Sequence, residues 1–87
     1  MNEDAEVFYS VARRLFLESG EKFRTAHVLS VESQNALSFD EQFNQFSEAI
    51  YLEKQAIALQ AEAITYRKQA GRICRLELTK LKKSLEI

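Results

Sequence analysis

"AIYLEKQAIALQAEAITYRKQAG", residues 49–71, sets a small residue beside a branched one every seven positions: Ala49-Ile50, Ala56-Ile57 and Ala63-Ile64, then Ala70-Gly71 where a fourth pair falls due. Seven residues make about two turns of α-helix, so the alanines share one line of a helix and the isoleucines another. With Ala49 at zero, Ile50 falls at about +100°, Leu52 at about −60° and Glu53 at about +40°. The result is an apolar wedge about 160° wide, whereas one neighbouring helix covers nearer 100°. Leu52, Leu59, Tyr66 and Ile73 form one margin and Ile50, Ile57 and Ile64 the other. A second packing partner is therefore expected.

Because the distance between helix axes depends on the side chains at the contact, the line Ala49, Ala56, Ala63 reads as a seat for a closely packed helix. Gly71 lies on the isoleucine line, where it removes bulk at a crossing or a bend. Between the two lines run Phe46, Glu53, Gln60, Arg67, Cys74 and Leu81, apolar at the ends and polar in the middle. Either the polar three reach water through a gap between neighbours, or they form a layer that sets the register of an interface.

Outward from this stretch, Phe8, Val11, Ala12, Leu15, Phe16, Phe23, Ala26 and Leu29 recur at helical steps, predicting a first helix over about 4–34, kinked near Ser19-Gly20. "SQNALSFDEQF" loses the period and reads as a connection over 35–39. Ser38 followed by Glu41 fits a capping box, and the second helix is expected over about 40–86 with a possible bend at Gly71. Helices of about 30 and about 47 residues reach roughly 45 Å and roughly 70 Å, so a hairpin leaves an overhang beginning near residue 70. Its Cys74, Leu78, Leu81 and Leu85 follow the 4-3-4 spacing of a coiled-coil seam. The tail should fold back at Gly71 or be covered by another chain.

Composition agrees with an all-α chain of one domain: 87 residues, no proline and two glycines. The Met-Asn-Glu-Asp start and the lack of any long uncharged stretch argue against a signal peptide or a membrane span, giving a cytoplasmic expectation. Cys74, the single cysteine, rules out an internal disulfide and reads as a small buried hydrophobe. The net charge of −1 conceals a split: residues 1–66 hold 5 Lys/Arg against 11 Asp/Glu, residues 67–87 hold 7 against 2. Such asymmetry points to nucleic acid, an acidic partner or self-association.

Catalytic chemistry finds little to work with. His27, the one histidine, has no carboxylate or cysteine at three- or four-residue spacing, and no glycine-rich loop precedes a helix. Acidic residues gather at helix starts, where the macrodipole accounts for them. No catalytic, cofactor-binding or metal-binding residue is assigned. "AEVFYSVARRLFLESGEKFRTA" resembles the first helix and turn of a tetratricopeptide repeat, but Phe23 and Ala26 are out of register and no second copy follows at 34 residues. The family is not assigned.

The expected protein is a non-enzymatic helical interaction module of adaptor, inhibitor or assembly-chaperone type, working as a homodimer, with a larger protein partner as the other option. An antiparallel pairing of the second helix with its own copy about Gln60 makes opposed residue numbers sum to 120. Ala56 then faces the partner's Ile64, Ile57 its Ala63, Ala49 its Gly71, Ile50 its Ala70, Glu53 its Arg67 and Phe46 its Cys74. The alternative is a nucleic-acid-associated protein using the basic helix 67–83, with its cations spread widely around the helix and Tyr66 as the sole nearby aromatic for stacking.

Overall fold

The first helix, α1, spans Glu3–Gln34 and the second, α2, spans Phe39–Leu85, in a computed structural model that describes residues 3–86. Met1, Asn2 and Ile87 of the expected single domain lie outside the described residues. Ser38 opens α2 from an extended backbone (φ −131°, ψ 155°), its Oγ accepting the Glu41 N–H at 3.1 Å. Asp40 and Glu41 occupy the first turn of α2 and Lys82 and Lys83 the last, each matching the sign the macrodipole favours. The fold is an all-α helical hairpin.

Three contacts fix its register. Ser19 Oγ donates to the Ala56 carbonyl at 2.8 Å, Lys22 Nζ donates to Gln55 Oε1 at 3.2 Å, and the Phe8 and Tyr66 rings lie 6.0 Å apart. Opposed residue numbers thus sum to about 75. Ala5 is then level with Ala70, Ala12 with Ala63, Ser19 with Ala56 and Ala26 with Ala49, and all eight are buried. Each helix contributes a small residue every seventh position, which lets the backbones close on one another where leucines would hold them apart. Beside this line α1 supplies Phe8, Leu15, Lys22 and Leu29, and α2 supplies Leu52, Leu59, Tyr66 and Ile73. Of these eight only Leu15 is buried.

The core is therefore thin. Among the described residues no large side chain is fully buried. Phe16, Phe23, Leu59 and Ile73, on lines that promised a core, are half-buried, and Phe46 is exposed.

Two expectations about the glycines change. Both helices run unbroken through Gly20 and Gly71, neither of which takes a positive φ. The longest dimension of 74 Å leaves no room for a fold-back, since 47 straight helical residues already reach roughly 70 Å. α1 begins at Glu3, level with residue 72, and past that level α2 projects as a single helix, exposed from Arg75 onward. Cys74 stands at the start of that overhang and is half-exposed instead of buried, lying past the level of Glu3, the first described residue of α1.

Candidate interaction surface

The lines that α1 leaves open on α2 make one continuous pattern. Phe39, Phe43, Phe46 and Ile50 begin a 4-3 spacing that proceeds through Glu53, Ile57, Gln60, Ile64, Arg67, Gly71, Cys74, Leu78 and Leu81 to Leu85. None of these positions is buried, and Ile50, Ile57 and Ile64 keep 39%, 54% and 40% of their surface exposed. The spacing is that of a coiled-coil seam, apolar from Phe39 to Ile50 and from Cys74 to Leu85, with polar Glu53, Gln60 and Arg67 alternating with Ile57 and Ile64 between them. Thus α2 carries two such seams along its length, one filled by α1 and one open.

Their directions follow from helix geometry. The filled seam lies between the alanine line at 0° and the leucine line at about −60°, the open one between about +40° and about +100°, so the two point about 100° apart. That is close to the angle between neighbouring sides of a four-helix bundle.

On α1 the line adjoining the same face carries Tyr9, Phe16, Phe23 and Ser30. Tyr9, Arg13 and Phe16 share a groove with Arg67, while Phe23, His27 and Ser30 share another with Glu53. The polar layer of α2 is thereby bordered by aromatic rings of α1. At the loop end Phe39, Phe43 and Phe46 line a third groove with Ser30 and Ser33, and the Phe39 and Phe43 rings stack at 6.3 Å.

The structure brings eleven of the fourteen expected interface residues onto this face: Phe46, Ile50, Glu53, Ile57, Gln60, Ile64, Arg67, Gly71, Cys74, Leu78 and Leu81. It removes the other three. Ala49, Ala56 and Ala63 lie beneath α1, so the expected matching of alanine to isoleucine between two copies is not open to the closed hairpin. The physical reason is competition for one seat, which the tethered α1 reaches first. Sequence reasoning missed the α1 rings bordering the face, although Ala5, Ala12, Ser19, Ala26 and Ser33 repeat at the same spacing as the α2 alanines and mark which line of α2 each helix would claim.

The molecule is elongated, 74 Å in its longest dimension, and its total surface is large. The chain exposes 6958 Å², against about 5,300 Å² for a compact monomer of its 10.1 kDa mass. Its radius of gyration is 20.4 Å, against about 12 Å for a compact chain of this length. The excess area, about 1,700 Å², is on the scale of a whole standard protein–protein interface.

No described helix is long and apolar enough to cross a membrane, and no cluster of three or more His, Cys, Asp or Glu among the described residues could hold a metal ion. Comparison with known proteins found no matching family model, no matching curated protein and no matching solved structure.

Proposed function

We propose that this chain is a small, non-enzymatic protein–protein interaction module that works through the open seam of α2. One observation carries the reading: a heptad alternation from Phe39 to Leu85 that α1 leaves uncovered. Ile50, Ile57, Ile64, Leu78, Leu81 and Leu85 stand exposed along one helix face, and a row of exposed large apolar side chains of this kind is what an interaction site presents. The small-residue seam serves the hairpin, leaving the large side chains of the open seam for the partner. A cytoplasmic setting, in which Cys74 stays a thiol, belongs to the same reading.

The test is Ile57→Glu combined with Ile64→Glu. Both positions are exposed in the hairpin, so helicity by circular dichroism is expected to stay near wild type. Association, read as molar mass by light scattering and as concentration dependence of the melting temperature, is expected to be lost. A wild type that associates, together with a double variant that keeps the same mass and concentration dependence, would overturn the reading. The nucleic-acid alternative predicts a different outcome: binding to DNA or RNA that falls steeply with salt and survives the isoleucine changes.

A further inference from the structure

We propose that the occupant of the open seam is a second copy of this chain, with the two α2 helices antiparallel and their two-fold axis at Gln60, so that two hairpins close into a four-helix bundle. The inference rests on the interaction reading above and adds the partner and the register.

The order of residues along the seam is self-complementary. One of its two lines reads Phe39, Phe46, Glu53, Gln60, Arg67, Cys74, Leu81. Reversed about Gln60, it becomes its own complement. Phe39 is level with the partner's Leu81, Phe46 with the partner's Cys74, Glu53 with the partner's Arg67, and Gln60 with the partner's Gln60. These opposed numbers sum to 120.

The other line keeps step at a sum of 121. Phe43 meets the partner's Leu78, Ile50 the partner's Gly71, and Ile57 the partner's Ile64. The filled seam pairs its helices in the same antiparallel sense, with Ser19 and Ala56 summing to 75, Phe8 and Tyr66 to 74, and Lys22 and Gln55 to 77.

Charge selects the direction. In a parallel pairing Glu53 would lie beside the partner's Glu53 and Arg67 beside the partner's Arg67, whereas the antiparallel one joins opposite signs twice. At the rim Lys54 comes level with the partner's Lys68, an exposed like-charge pair that salt screens.

The overhang supplies an independent reason. Residues beyond α1 leave Leu78, Leu81 and Leu85 exposed, and the hairpin's other end exposes Phe39 and Phe43. The two-fold brings each chain's leucine end onto the partner's phenylalanine end. Since α2 runs from Phe39 to Leu85, its midpoint is residue 62, close to the axis, so the two helices overlap along nearly their full length. A foreign helix could fill the seam, but only a second copy repairs both ends with the residues already present.

Disulfide trapping tests the register, because the bond forms only between cysteines with Cα atoms within about 7 Å. In a Cys74→Ser background, Gln60→Cys is expected to give a covalent dimer on mild oxidation, while Glu53→Cys is expected not to, its two copies being 14 residues apart along the axis, or roughly 21 Å. With Cys74 retained, Phe46→Cys should also cross-link. Equal trapping of Glu53→Cys and Gln60→Cys would indicate a parallel pair and overturn the proposal while leaving the interaction reading intact. A wild type that stays monomeric at 100 µM would overturn it as well.

Charge exchange provides a second readout on folded protein. Glu53→Arg should raise the dimer Kd about tenfold or more, a change of about 1.4 kcal/mol, and adding Arg67→Glu should return it to within about threefold of wild type. A double variant no tighter than the single one overturns the register.

Discussion

Replacing Ala63 by leucine tests the small-residue seam most directly. Ala63 has 0% of its surface exposed and lies level with Ala12, which is also buried. Leucine adds three carbons where two backbones have closed on each other, and neither helix has a larger side chain on that line that could shrink to make room. Overpacking of this kind destabilises by about 1–3 kcal/mol, and here the upper end applies because the obstacle is backbone. An 87-residue chain is stable by roughly 4–13 kcal/mol, so about 3 kcal/mol is a large fraction of the whole. At about 4–8 °C per kcal/mol the melting temperature should fall by roughly 12–24 °C. The control is Ala61→Leu, two residues away on the exposed side of α2, where the effect should remain within about 0.5 kcal/mol. Thermal melts followed at 222 nm, both variants at one protein concentration, decide the matter. A difference below about 0.5 kcal/mol between the two substitutions would refute close packing along the alanine line.

Two further changes probe individual features of the hairpin. Ser38→Ala removes the oxygen that accepts the Glu41 N–H and should cost about 1 kcal/mol in urea denaturation, while Ser38→Asp should cost only a fraction of that. Gln45 has a buried Oε1 without a hydrogen-bond partner among the described residues; Gln45→Leu, on the same line as Leu52 and Leu59, should stabilise by about 1–3 kcal/mol, and a loss of stability would show that the amide is satisfied in solution.

The hairpin itself was legible because its signals are local. Ser38 and Glu41 are three residues apart, and the helical step of the apolar residues can be counted on either side of them. Which line of α2 would receive α1 was harder to read, since the alanines invite any close helix and the isoleucines invite any helix at all. The deciding signal lay outside the repeat, in Ala5, Ala12, Ser19 and Ala26, small residues that look unremarkable beside the larger Phe8, Val11, Leu15, Phe16, Phe23 and Leu29 of the same helix. Cys74 reads as buried yet is half-exposed for a related reason: its apolar character says that it needs a partner, while its burial depends on where α1 begins, a property of register between distant segments. The polar run Glu53, Gln60, Arg67 was visible as an anomaly, but only the position of α1 shows that all three remain on an open face.

The seam of small residues also shapes how the chain responds to solvent. An unfolded chain of 10.1 kDa exposes about 14,600 Å², so folding to 6958 Å² hides about 7,700 Å², where a compact domain would hide about 9,300 Å². Denaturant sensitivity and the heat capacity of unfolding both scale with the area exposed. For an isolated hairpin each should therefore be lower by about a sixth, giving a shallower urea transition and a flatter dependence of stability on temperature. Filling the second seam would steepen both.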